Sequence, residues 1–326
     1  MWMVPLVVLG LIALVFLSAR FSLDREFTYS RAAETLPPFA PDHPDGKVRI
    51  PARGMQFRAR VAGLSNSGPG LILLHGFPET SWMWEPLRHA ANQAGFRVVA
   101  FDQRGYSPGA RPVDVGAYIV DELLDDIAAV ADAVGFERFH LIGHDWGAVL
   151  GWNFTGQNPD RVLSWASLSI AHPGAILAAS ESGGPPTYIK VFRVPGLMET
   201  VFGFGDRLLM RKGLYPPIPE SDFEEYLALF AEPGALTAAL NWYRAQEFST
   251  QVDATGPVST RTLWIYGSRD MKVFTGPRVR ARMPEFVTGP YDVLELDAGH
   301  WLIQERPEAV VDALMSHLVA SNPTTP

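Results

Sequence analysis

No cysteine occurs among the 326 residues. Disulfides, thiolate catalysis and cysteine-based zinc sites are therefore excluded, and the redox compartment leaves no trace in the composition. Positive charge is in short supply: 27 lysines and arginines against 35 acids give a net charge of −8 and a pI near 5.5. That balance argues against nucleic acid as a partner. No internal repeat and no low-complexity tract is present. No Gly-x-Ser-x-Gly occurs anywhere, so the usual serine nucleophile on a strand-to-helix turn is missing. What remains is a chain 47% hydrophobic and 19% charged. That suffices for one large α/β domain with an insertion, or for two small domains.

A further absence sits at the N-terminus. Residues 1–18 carry no charged side chain, and no Lys or Arg precedes them. At about 1.5 Å per residue the run would just span a hydrocarbon core of about 30 Å. Leu17-Ser18-Ala19 makes a poor cleavage site, and Arg20, Arg25 and Arg31 follow the run. The expectation is a transmembrane anchor over residues 1–19 with the rest cytoplasmic; the alternative is a signal peptide and secretion. Residues 20–46 read as a linker, with Pro37, Pro38, Pro41, Pro44 and Gly46.

Beyond it the chain alternates. Residues 47–62 read as a hairpin turning near Gly54, and Leu71–His75 and Phe96–Phe101 as buried strands. Residues 117–135 give the clearest helix, with an apolar stripe through Val120, Leu123, Leu124, Ile127, Val130, Ala131 and Val134. Asp121, Glu122, Asp125 and Asp126 are expected to face out. Further strands follow at Arg138–Ile142, Val162–Leu168, Thr262–Gly267 and Tyr291–Leu296, and a last helix opens at Pro307. Strands alternating with helices imply a mostly parallel, doubly covered sheet over residues 47–171 and 256–322. Between them, residues 172–255 lack a convincing strand and read as an inserted helical cap. There Ser221-Asp222-Phe223-Glu224 resembles a capping box.

Gly143-His144-Asp145-Trp146-Gly147 joins a strand to a helix by a tight turn of nucleophile-elbow pattern, with aspartate in the middle. A carboxylate attacking an ester would give only a labile anhydride. Attack on a saturated carbon bearing a leaving group gives an alkyl ester, which water must then cleave. Such chemistry wants an epoxide or an alkyl halide and a histidine base oriented by an acid. Asp270 and His300 follow two later strands in the required order, where functional groups share one crevice. His75-Gly76-Phe77-Pro78 follows an early strand. Its turn should aim the Phe77 N–H at the spot faced by the Trp146 N–H, giving two donors for the other Asp145 oxygen. His75 itself is read as structural.

An epoxide oxygen also needs an acid. The cap tyrosines are Tyr188, Tyr215, Tyr226 and Tyr243. Patterning reads Tyr215 and Tyr226 as packing residues and does not decide between the other two.

These motifs together resemble the α/β-hydrolase-fold epoxide hydrolases over roughly residues 47–320. In that family two cap tyrosines polarise the epoxide oxygen. Tyr188-Ile189-Lys190-Val191-Phe192-Arg193-Val194-Pro195-Gly196 and Asn241-Trp242-Tyr243-Arg244 are similar to their surroundings, so the resemblance implies Tyr188 and Tyr243 in that role. It also implies a cis peptide before Pro78. The expected activity is hydrolysis of a small apolar epoxide to a vicinal diol without metal or organic cofactor. Haloalkane dehalogenases share the Asp-His-Asp set and a Trp after the nucleophile, and form the nearest alternative. Resemblance to them would want a second halide donor, often Asn, where this chain has Phe77. A non-catalytic binding protein on the same scaffold is a third reading.

Overall fold

The computed structural model describes residues 35–180, 186–216, 218–246 and 255–322. Eight strands form one sheet in the order β1-β2-β4-β3-β5-β6-β7-β8. They are β1 Gly46–Ala52, β2 Met55–Ala62, β3 Gly70–Leu74, β4 Arg97–Phe101, β5 Phe139–His144, β6 Val162–Leu168, β7 Thr262–Gly267 and β8 Tyr291–Leu296. Pairing is antiparallel for β1–β2 and β2–β4 and parallel for the rest. Sequence follows position. The central strands β3, β5 and β7 are buried at every residue, and their apolar runs are near-continuous because helices cover both faces. The edge strand β1 alternates buried and exposed residues instead.

Covering the sheet are α1 (Glu85–Gln93), α2 (Val120–Ala133) and α3 (Trp146–Gln157). Between β6 and β7 come α4 (Pro173–Ala179), α5 (Thr187–Phe192), α6 (Leu197–Gly213), α7 (Glu220–Ala231) and α8 (Ala235–Ala245). A last helix, α9, runs from Pro307 to Ala320 with proline in its first turn. The strands after the insertion, β7 and β8, lie where the apolar runs put them.

Three local expectations need correction. Asp126 does not face out. It is buried beneath α2, where Arg104 Nε approaches at 2.6 Å and Arg53 Nη1 at 3.1 Å, so guanidiniums compensate the desolvated carboxylate. The capping box does not form either. The α7 helix starts two residues earlier than that box would set it, after Pro219, and Ser221 lies inside it. Asp222 accepts instead from the Trp82 indole at 2.7 Å. The proline-rich stretch is attached well before Lys47. Phe39 N and Arg49 N exchange hydrogen bonds with Arg49 O and Pro37 O at 2.8 Å, and Asp45 accepts from Gly63 N. Among the described residues no helix is long and apolar enough to cross a membrane; residues 1–18, where the anchor is expected, lie outside them.

Candidate active site

The turn after β5 is defined by what cannot fit there. A Cβ on Gly143 would meet Gly147 O at 2.3 Å, one on Gly147 would meet Leu74 O at 2.2 Å, and one on Gly76 would meet Asp145 Cβ at 2.4 Å. Strand, turn and helix can therefore close only around glycine. Between them Asp145 is held at φ 52, ψ −118, a strained conformation for a side-chain-bearing residue. This strain lifts the carboxyl out of the sheet. One oxygen accepts from Phe77 N at 2.9 Å, and the other lies 3.4 Å from His300 Nε2. The Phe77–Pro78 peptide is cis.

Asp270 and His300 arrive from the ends of β7 and β8, on the far side of β6 from the elbow. The Asp270 oxygens lie 3.1 and 3.2 Å from His300 Nδ1. The His300 carbonyl accepts from Ser169 Oγ at 2.7 Å and from His144 Nε2 at 2.9 Å, so the backbone behind the ring is fixed as well. Asp145, Asp270 and His300 are thus brought together in one chain of contacts. Burial opposes the charge of Asp145, but the hydrogen bond and charge of His300, with His144 and the Phe77 N–H, hold its carboxyl below the usual range. Burial likewise opposes protonation of His300. The Asp270 charge and the Asp145 contact outweigh it and push the imidazole up to about 10. At neutral pH the resting site is an imidazolium between two carboxylates.

Over this floor lies an aromatic roof. Phe77 touches Phe192, Phe202, Phe230 and Tyr243 at ring separations of 5.5–6.2 Å. Tyr243, from α8, stands 5.2 Å from the Trp146 ring. Tyr188, from α5, packs on Phe192. Burial first, then the nearby Asp145 charge, pushes both phenols upward, so both remain protonated donors at neutral pH. Tyr215 and Tyr226 are buried and stacked on each other at 5.5 Å, with Tyr215 donating to Pro78 O. His75 accepts from Gln103 N through Nε2, which leaves its Nδ1–H for Gly76 O; it braces the turn.

A chain 34% identical over 312 residues is epoxide hydrolase A of Mycobacterium tuberculosis; the match covers 82% of this chain and 96% of that one. The chain belongs to the epoxide hydrolases. Mouse epoxide hydrolase 3 is 33% identical over 284 residues, covering 80% and 74% of the two chains. The α/β-hydrolase-fold family model matches residues 69–210. The crystal structure of epoxide hydrolase A from Mycobacterium thermoresistibile superposes with a TM-score of 0.71 at 29% identity, covering 84% of this chain and 98% of that one.

Sequence reasoning misses one pair in this epoxide hydrolase. Glu79 and His144 are both fully buried, with Glu79 Oε2 2.9 Å from His144 Nδ1. On its other side His144 Nε2 donates to the His300 carbonyl. Gln304 donates to the other Glu79 oxygen. The available signal was a carboxylate directly after the Gly-Phe-Pro turn, in a stretch too apolar to leave it solvated.

Proposed function

We propose that this enzyme opens an epoxide to a vicinal diol through an ester on Asp145. The supporting observation is the Asp145 carboxylate itself: strained at the elbow, fixed by the Phe77 N–H, and facing a histidine held by Asp270. One Asp145 oxygen attacks a ring carbon and the C–O bond breaks. Tyr188 or Tyr243 protonates the departing oxygen. Esterification removes one of the two negative charges that keep His300 protonated. The imidazolium then gives up its proton, which returns through solvent to the tyrosinate. Neutral His300 next takes a proton from water, which attacks the ester carbonyl. The oxyanion is held by the Phe77 and Trp146 N–H groups. Collapse of that intermediate releases the diol and restores Asp145.

The aromatic roof favours a small apolar epoxide. The dehalogenase alternative is weaker, because Tyr243 packs edge-on against the Trp146 ring and position 77 is phenylalanine. Purified enzyme offered styrene oxide should yield diol, and offered 1-chlorobutane should release no chloride. Chloride without diol would overturn the reading. A single turnover in 18O water should label the peptide carrying Asp145; label confined to product would rule out the ester. From the uncharged residues 1–18 we also infer a membrane anchor with the catalytic domain on the cytoplasmic side. Full-length protein in the soluble fraction after carbonate extraction would sink it.

A further inference from the structure

We propose that Arg193 is a positioning residue that ties the helix bearing Tyr188 to the helix bearing Tyr243, so that both phenols meet one epoxide oxygen. This rests on the reading of the two tyrosines as the oxygen-polarising pair. They come from different helices, and the helices are held differently. Helix α8 is fixed to the core by polar contacts on both sides of Tyr243. The Trp242 indole donates to Arg104 O at 2.8 Å, and Gln246 Nε2 donates to Tyr118 O at 2.6 Å. Helix α5 has six residues, and its contacts around Tyr188 are aromatic: Phe192 touches Tyr188, Phe77 and Tyr243. Aromatic faces attract but tolerate sliding, since their packing is weakly directional compared with a hydrogen bond.

Arg193 supplies the direction. It caps α5, and its Nε donates to Tyr243 O at 2.9 Å while a second guanidinium nitrogen donates to Gln246 O. Those carbonyls sit at the C-terminal end of α8, where the helix itself leaves acceptors unsatisfied and partial negative charge accumulates. A planar fork gripping two of them sets orientation as well as distance, which a lysine ammonium cannot do. Among the described residues, Arg244 of α8 also reaches Val194 O, at a long 3.5 Å, and pairs with Glu199 at 2.8 Å, but Glu199 belongs to α6 and not to the helix that carries Tyr188. With α8 immobile, Arg193 fixes where Tyr188 stands. A misplacement of about 1 Å at a reacting group can cost about 10²-fold.

The test is a single-turnover double-mutant cycle with styrene oxide, following ester formation and ester hydrolysis separately. Arg193→Met should slow ester formation by about 10- to 100-fold and leave hydrolysis of the preformed ester unchanged. Arg193→Lys should fall between Arg193→Met and wild type. In a Tyr188→Phe background, Arg193→Met should cost less than about 3-fold, because the group it positions is gone. An equal cost in both backgrounds, or equal slowing of both steps, would make the role merely structural and overturn the proposal. So would a wild-type rate for Arg193→Met beside a slow Tyr188→Phe. If Tyr188→Phe itself forms ester at the wild-type rate, the tyrosine reading fails and takes this proposal with it. Should Arg193→Met not fold, Arg193→Lys decides by the same cycle.

Discussion

Asp145, Asp270 and His300 reach the site from the ends of three parallel strands, whereas Tyr188 and Tyr243 reach it from two helices of the insertion. The floor is over-determined. Three glycine positions admit no side chain, and the His300 carbonyl is held by two side chains, Ser169 and His144. Fixing the roof falls to a few side chains. Along α7 and at its C-cap, Asp222, Glu225 and Glu232 bond to Trp82, Arg60 and Arg58 of the core, but α5 rests on aromatic rings and Arg193. A rigid floor keeps the nucleophile strained without substrate. A more sparingly fixed roof lets ligand shape vary while the chemistry beneath stays constant.

The largest effects should come from the floor. His300→Gln should form the Asp145 ester at a rate within about 10-fold of wild type yet hydrolyse it about 10²- to 10⁴-fold more slowly. Mass spectrometry would then find covalent adduct accumulating on the intact chain. An adduct that clears at the wild-type rate would break the assignment of His300 and move the base elsewhere. Both carboxylates raise the proton affinity of His300, and the ester removes one of them, so the two half-reactions should differ in pH dependence. Ester formation needs ionised Asp145, whose affinity for protons is already depressed; it should be flat at neutral pH and fail only in acid. Hydrolysis needs neutral His300. Its rate should rise about tenfold per pH unit below a midpoint lower than the resting value of about 10, then level. Stopped-flow traces across pH 5–10 would separate them. Parallel profiles would show that esterification does not control the histidine.

The seam between floor and roof should matter for stability rather than chemistry. Glu232 lies 3.1 Å from Arg58, itself buried against Asp102 at 2.5 Å, and 2.5 Å from Arg111. Glu232→Ala takes a carboxylate from two guanidiniums, Arg58 and Arg111, and should lower unfolding free energy by about 2 kcal/mol. Ester formation by the folded variant should stay within about 3-fold of wild type if the seam and the tyrosine pair are independent. A 100-fold loss of activity at unchanged stability would mean that the α7 contacts, and not Arg193, aim the phenols.

How much of this was readable in the chain follows the same division. The floor was legible because strand ends and elbow are set by local rules: an apolar run, then glycine, then a polar residue. Asp145, Asp270, His300 and Phe77 each follow such a run within a few residues. In the roof, helix periodicity marks what is buried but not what a buried tyrosine faces. Tyr226 and Tyr243 have the same pattern, yet one stacks on Tyr215 and the other stands over Trp146. Patterning set Tyr226 aside as packing, but only the resemblance gave Tyr243 a role. The partners of Asp126 and Glu79 were illegible for a related reason, although the apolar stretch around Glu79 hinted at its burial. Those partners, Arg104 and His144, are distant in sequence, and nothing in a single helix or turn announces them.

The smallest effect tests that lesson at one turn of helix. Were the Ser221 capping box formed, removing its hydroxyl would cost about 1 kcal/mol. The helix instead begins at Glu220, so Ser221 is an exposed residue of its first turn, and Ser221→Ala should change stability by less than about 0.5 kcal/mol. Its neighbour should behave oppositely. Asp222 is half-buried and takes the Trp82 N–H at 2.7 Å, a charge-assisted bond across the seam. Asp222→Ala should therefore cost about 1.5 kcal/mol, and Asp222→Asn, which keeps the accepting oxygen, less than half of that. Urea denaturation of the three variants would order them. A Ser221→Ala loss exceeding the Asp222→Ala loss would mean that local capping, and not contact with the floor, decides where this part of the roof begins.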